Sequence, residues 1–252
     1  MPRIALGLEY DGSRFFGWQK QPGGATVQDA LESALAEVAG AAIATIAAGR
    51  TDRGVHARLQ VVHFDTAAQR PLSAWVRGVN ALLPPPVAVL WAHEVADDFH
   101  ARYSALSRSY RYELLNRAVR PALSASYTGW FHLPLDVPAM REAAAGLVGE
   151  HDFSAFRSSE CQAKSPVRTI QALSIERRGE RIDFAIRANA FLHHMVRNLV
   201  GTLVYVGKGK HPPQWAKEVL ESRERVRAAP TFGPQGLYLE TIEYEPKWGL
   251  PL

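Results

Sequence analysis

Apolar residues recur along this chain at two periods, and the switches between them divide it into elements. Ile4–Tyr10 alternates and predicts a strand, which Asp11-Gly12-Ser13 ends with turn residues. Thr26, with Asp29 three residues on, marks a helix start. Val27, Ala30, Leu31, Ala34, Leu35 and Val38 follow at helical spacing, and Gly40 stops the run. The apolar stretch Ile43–Ala48 leads into a polar loop, and Gln60–Asp65 leads out of it as a strand. Pro71 opens a second helix carrying Leu72, Trp75, Val76, Val79 and Leu82, which Pro84-Pro85-Pro86 closes. Val87–Val95 predicts another strand. This stretch reads strand, helix, strand, strand, helix, strand, the split-βαβ order of a ferredoxin-like unit.

The order then repeats. Ser107–Leu114 alternates as a long strand, with Arg108, Tyr110, Tyr112 and Leu114 on one face and Ser107, Ser109, Arg111 and Glu113 on the other. A face of arginine and tyrosine suits an anionic, aromatic ligand, and equally an exposed strand whose long side chains snorkel. Asn116–Tyr127 reads as a linker, Pro138–Val148 as an alanine-rich helix and Phe153–Val167 as a loop. Thr169–Arg177 and Arg181–Arg187 predict a hairpin across Arg178-Gly179-Glu180. Leu192–Val206 and Pro213–Arg225 predict helices, and Gly236–Tyr244 a closing strand. The expected division is residues 1–105 and 106–252. The symmetry is architectural, without a residue-level repeat.

Composition narrows the class. With 252 residues, 47% of them hydrophobic, the chain can bury a substantial core. A net charge of +4 fits an anionic partner without demanding one. Cys161 is the only cysteine, which excludes an internal disulfide and a cysteine-based zinc site. The start, Met-Pro-Arg-Ile, has no signal-peptide pattern, and no apolar run reaches the roughly 20 residues of a membrane span, so a cytoplasmic protein is expected.

Candidate chemistry concentrates in Ala48-Gly49-Arg50-Thr51-Asp52-Arg53-Gly54-Val55-His56-Ala57. Asp52 lies between two arginines, and nearby cations favour the ionised carboxylate that a nucleophile needs. The same residues also suit a turn cap with solvated arginines. Upstream, Arg14-Phe15-Phe16-Gly17-Trp18-Gln19 is unusually aromatic for a loop; its rings can stack on nucleobases or pack on protein. No Rossmann fingerprint, P-loop or His-Glu-x-x-His pattern is present, so neither cofactor nor metal is expected.

Several segments together resemble the tRNA pseudouridine synthase family that acts at positions 38, 39 and 40. They are Tyr10-Asp11-Gly12-Ser13 with Phe16-Gly17-Trp18-Gln19, then Gly49–His56, Val62-His63-Phe64, Phe99–Tyr103 and Ser107–Tyr112. Phe191-Leu192-His193-His194-Met195-Val196-Arg197-Asn198 and Gly236-Leu237-Tyr238-Leu239 complete the set, in family order. Arg53 stands where alanine is common and Leu59 where glycine is common; these departures imply altered tRNA contacts.

The resemblance implies an α+β fold of two ferredoxin-like (split βαβ) halves joined into one continuous, mostly antiparallel sheet with a central cleft. It implies a homodimer that isomerises uridine to pseudouridine in the tRNA anticodon arm without cofactor or metal. By the same matching, Asp52 is the catalytic carboxylate, Arg197 its cationic partner and Tyr110 the residue that contacts uracil. Leu237 forms an apolar wall under the base, and Arg50 assists base flipping. Arg70, Phe99, His100, Arg102, Tyr103, Gln162, Lys164 and Arg168 fall in tRNA-contact segments. The alternative is a non-catalytic RNA-binding protein, which accounts for the sheet and the basic strand but not for Asp52 together with Arg197.

Overall fold

The computed structural model describes residues 1–252. Ten strands, mostly antiparallel, and five α-helices give an α+β fold with two compact units: Met1–Arg108 with Tyr238–Leu252, and Ser109–Leu237.

The first unit contains β1 (Arg3–Tyr10), α1 (Val27–Ala39), β2 (Ile46–Ala47), β3 (His56–Asp65), a π-helical turn Ala74–Gly78 running into α2 (Val79–Leu82), and β4 (Val87–Val95). The helix start read from Thr26 is real: its side chain accepts from the Asp29 amide, and Gly40 ends α1 in the left-handed region. β1 lies between β3 and β4, with Leu6 opposite both Val62 and Ala92. Val27, Leu31, Ala34 and Leu35 of α1 are buried, and the core of this unit also holds Leu6, Leu8, Phe64 and Trp75. Trp75 meets Phe64 edge-on at 5.2 Å. The strand expected over 43–48 shrinks to two residues because Thr45 turns to α1, its amide and hydroxyl donating to Glu32 at 2.8 and 3.0 Å.

The second unit contains most of β5 (Ala105–Asn116), then β6 (Gly129–Phe131), α3 (Val137–Ala145), β7 (Gly149–Asp152), β8 (Val167–Arg178), β9 (Arg181–Ala188), α4 (Met195–Gly207) and α5 (Trp215–Ser222). Its strand order is β5-β9-β8-β7, with β6 parallel to β5. The hairpin of β8 and β9 matches the reading, whereas β6 and β7 fall in stretches without alternation. The helix expected from Leu192 begins only at Met195: His194 has φ 62°, which a right-handed helix cannot include.

The chain passes between units within β5 and again at the start of β10 (Leu237–Tyr244). A division at residue 105 would place β10 and the tail in the second half. In the structure they pack with the first unit, because Tyr238 and Leu239 of β10 pair in parallel with His56 and Ala57 of β3. The Tyr244 hydroxyl donates to the Ala101 carbonyl at 2.6 Å, and Trp248 meets Phe99 edge-on at 5.2 Å. No helix is long and apolar enough to cross a membrane.

Candidate active site

In the first unit, the loop between β2 and β3 presents Asp52 half-buried, with Arg50 and Arg53 exposed on either side. The residues around the carboxylate are fixed. Ala48 donates to the Val61 carbonyl at 2.8 Å as the chain leaves β2. The buried Thr51 hydroxyl lies 2.8 Å from that of Tyr10, and the Val55 amide donates to the Asp52 carbonyl at 3.1 Å, closing a turn. Gln60 donates to the Gly49 carbonyl at 2.6 Å. Burial pushes the Tyr10 hydroxyl up to about 12 against the opposing bonds from Thr51 and Gln60, so it stays protonated.

The segment Asp11–Gln19 is the other wall of this loop. Trp18 donates its amide to the Thr51 carbonyl at 3.0 Å, and its indole is buried. Gly17 has φ 95°, and a Cβ there would stand 2.8 Å from the Thr51 carbonyl oxygen and 3.1 Å from the Arg53 amide. Only glycine allows that approach. The Gly12 amide donates to Nδ1 of His56 at 3.1 Å, and the His56 ring stacks on Tyr238 with centroids 4.8 Å apart. Of the aromatics in this segment, Phe15 and Trp18 pack on protein, while Phe16 is exposed beneath the Arg53 guanidinium at 4.6 Å. The dense aromatic loop therefore supports Asp52's loop.

Arg108 was one of a row of side chains suited to an anionic ligand, yet it is only 8% exposed. Its guanidinium donates to the carbonyls of Ala48 at 3.0 Å, Arg102 at 2.5 Å and Ala105 at 3.2 Å. It thereby ties the entry of the Asp52 loop to the turn at 100–105. Arg108 shares its face with Tyr112 and Leu114, which are buried, and a buried guanidinium requires oxygen acceptors.

That turn carries four of the expected tRNA-contact residues. His100 accepts the amides of Arg102 and Tyr103, each at 3.2 Å, and its ring lies 4.3 Å from that of the exposed Tyr103. Arg102 is exposed, its guanidinium 5.6 Å over Tyr103. Phe99 differs from the expectation of a contact: it is 0% exposed, packed against His63, Tyr244 and Trp248, and it anchors the turn. Arg70 is exposed but away from this cluster, donating to the Val38 carbonyl near the end of α1 at 3.0 Å.

In the second unit, Arg197 stands half-buried in the first turn of α4, its Nε donating to the Phe232 carbonyl at 2.8 Å. Tyr110 is nearly buried on β5, with Phe191 edge-on at 5.0 Å. Leu237 is buried at the start of β10. Residues 157–166 form a loop tied to the approach to α4: the Ser158 amide donates to the His193 carbonyl at 3.0 Å, and the His193 amide donates to Sγ of Cys161 at 3.4 Å. Gln162 and Lys164 are exposed on it, and Arg168 follows, donating to the Ser165 carbonyl at 3.0 Å. His193 and His194 precede α4 rather than lying on it, so helical spacing does not describe them; their rings are 4.1 Å apart.

Fold and site thus define an α+β protein whose first unit raises one carboxylate, flanked by arginines, on a loop braced from both sides, the equipment of an enzyme that acts on an anionic substrate. A family model described as tRNA pseudouridine synthase matches residues 8–104 and 143–245. The chain is 62% identical over 250 residues to the tRNA pseudouridine synthase A of Chromobacterium violaceum, covering 99% of this chain and 95% of that protein. It is 59% identical over 249 residues to that of Dechloromonas aromatica, with the same coverage. The chain belongs to the tRNA pseudouridine synthase family and is an isomerase. Among solved structures, the archaeal box H/ACA sRNP Nop10-Cbf5 complex matches at a TM-score of 0.38 and 11% identity, covering 89% of this chain and 60% of that one.

Proposed function

We propose that this enzyme converts uridine to pseudouridine at positions 38, 39 and 40 of the tRNA anticodon arm, with Asp52 as the reacting carboxylate. The observation that supports this most is the bracing of residues 48–55, which holds one carboxylate on a loop bordered by arginines. The reaction breaks the C1′–N1 bond, turns the uracil and joins C1′ to C5. C5 then loses its proton and N1 ends protonated, so atoms and electrons balance without an oxidant or donor. The step needs an ionised carboxylate against an electron-poor carbon of sugar or base.

The remaining roles are those that the resemblance to the family implies. Arg197 is the cation assigned as partner of the reacting carboxylate, since a nearby guanidinium favours the ionised form that attack needs. Tyr110 offers a ring to the flipped uracil and a hydroxyl that can take part in removing the C5 proton. Leu237 supplies an apolar wall. Arg50 fills the gap left by the flipped base, and Arg102, Tyr103, His100, Gln162, Lys164, Arg168 and Arg70 bear on the tRNA backbone. The enzyme works as a homodimer in the cytoplasm, each tRNA touching both subunits.

The test is release of tritium from C5-labelled uridine in an unmodified tRNA, followed by mapping of the modified positions. Wild type releases it, whereas Asp52→Ala binds tRNA and releases none. Release by Asp52→Ala at the wild-type rate removes the carboxylate from the mechanism. Binding without release by wild type leaves an RNA-binding protein.

A further inference from the structure

The second unit contains a half-buried cation that the reaction does not use. Arg225 lies in the short segment that follows α5, and burial lowers its pKa. It forms no salt bridge. Its Nη1 donates to the carbonyl of Ala229 at 3.0 Å, and its Nη2 donates to Oγ1 of Thr231 at 3.0 Å and to Oδ1 of Asn198 at 3.1 Å. Thr231 in turn donates its hydroxyl to the same Asn198 oxygen at 2.7 Å. Asn198 has no exposed surface, and its Nδ2 donates to the Phe156 carbonyl at 2.8 Å. A half-buried guanidinium whose acceptors are all neutral oxygens holds those oxygens in one arrangement.

What it fixes is the strand of chain beside Arg197. Residues 225–232 run along α4 so closely that a Cβ on Gly201 would overlap the Pro230 carbonyl oxygen. One residue beyond Thr231, the Phe232 amide donates to the Arg197 carbonyl at 3.2 Å, and the Phe232 carbonyl accepts from Arg197 Nε at 2.8 Å. Tyr112 holds the far side: its hydroxyl donates to the Gly233 carbonyl at 2.8 Å and its ring meets Phe232 edge-on at 5.6 Å. Binding Nε to a fixed carbonyl stops rotation of the planar guanidinium and so sets the direction in which its two Nη groups point.

We propose that Asn198, Arg225 and Thr231 are positioning residues that orient the Arg197 guanidinium through the Phe232 carbonyl. The inference rests on the reading of Arg197 as the partner of the reacting carboxylate. Asn198 is the hub because it sits next to Arg197 on α4 and takes both donors from the strap. Misdirecting a charged group by about 1 Å can cost a hundredfold in rate, so loss of one member of the relay must show in the chemical step and not in binding.

The experiment measures the single-turnover rate constant and, separately, Kd with an unmodified tRNA transcript, for Thr231→Val, Thr231→Ser and Arg225→Met. Thr231→Val keeps the shape and removes the hydroxyl; it slows the chemical step about tenfold or more with Kd within about twofold. Thr231→Ser restores the rate, which a purely volumetric effect would not allow. Arg225→Met, placed in an Arg197→Ala background, causes no further loss, since both changes remove one function. Wild-type rates in Thr231→Val and Arg225→Met, beside a slow Arg197→Ala, overturn the relay alone. A loss that multiplies in full in the Arg197→Ala background overturns it as well. A wild-type rate in Arg197→Ala overturns the reading of Arg197 itself. If Arg225→Met does not fold, the valine and serine pair at 231 decides.

Discussion

The hydroxyls of Tyr10 and Thr51 lie 2.8 Å apart in the interior, joining the end of β1 to the residue before Asp52. The Gln60 amide also donates to the Tyr10 oxygen at 3.5 Å, and either hydroxyl of the Tyr10–Thr51 pair can donate to the other. Tyr10→Phe removes the hydroxyl and leaves Thr51 and Gln60 without that partner. The expected cost is about 1–2 kcal/mol in urea unfolding. The single-turnover rate falls about tenfold if the loop shifts. Unchanged turnover in a destabilised variant would show that this bond serves folding only.

Gly17→Ala is a sharper test of the same wall. At φ 95° an alanine costs about 1–2 kcal/mol from backbone strain alone. Its Cβ would also press on the Thr51 carbonyl at 2.8 Å and the Arg53 amide at 3.1 Å, which are backbone atoms of the Asp52 loop. The expected result is a lowered melting temperature together with lost tritium release. Gly23→Ala is the control: it also has positive φ but meets nothing within 4 Å, so it should cost stability and spare turnover.

The exposed arginine beside Asp52 should affect binding and not folding. Arg50→Ala leaves the melting temperature unchanged, because the side chain is solvated. If Arg50 neutralises one phosphate, the slope of log K for tRNA against log salt becomes shallower by about 0.7–0.9. A slope equal to that of wild type would place Arg50 off the tRNA backbone.

Much of this was legible because local signals and tertiary packing agree. Thr26, Asp29 and Gly40 bound α1 by cap chemistry that needs no partner, and the apolar run of Val87–Val95, closed off by Pro84-Pro85-Pro86 before it, reads as β4. The Asp52 loop was legible from its glycines and charges. Alternation places Arg108 on one face with Tyr112 and Leu114 but does not show whether that face meets solvent. Phe99 falls in a tRNA-contact segment by its place beside His100 and Arg102 in the sequence, whereas its ring points into the core. The strap 225–232 has no periodicity at all; Asn198, Arg225 and Thr231 become partners only through the fold. Likewise, nothing in Gly149–Asp152 alternates, and β7 exists because it pairs with β8.

Stability should depend on pH through His63. Burial, then the charges of Arg3 and His100, lower its pKa to about 4, with Asp65 opposing. Its Nδ1 accepts the Ala101 amide at 3.1 Å, which requires the unprotonated nitrogen. Unfolded histidine binds its proton at about 6.5. Between those values the unfolded chain holds more protons, so this contribution is complete above pH 6.5 and is lost as pH falls toward 4. Denaturation midpoints across that window should decline more steeply for wild type than for His63→Gln, which cannot titrate. Parallel profiles would assign the decline to other groups.

The bracket made by Arg108 gives the largest expected effect. Its guanidinium reaches three carbonyls, those of Ala48, Arg102 and Ala105, from a buried position on β5. Arg108→Met keeps the length and apolar stem but leaves these oxygens short of a donor. Each such loss costs about 1–3 kcal/mol. Arg108→Lys retains the charge, yet a single ammonium cannot span acceptors that a planar fork reaches together. The expected order of melting temperature is therefore wild type, then Lys, then Met. Turnover should follow the same order, because Ala48 begins the loop that carries Asp52 and Arg102 sits on the turn beside it. A lysine variant equal to wild type in both measurements would reduce the bracket to charge alone, and a methionine variant equal in turnover would separate it from the catalytic loop.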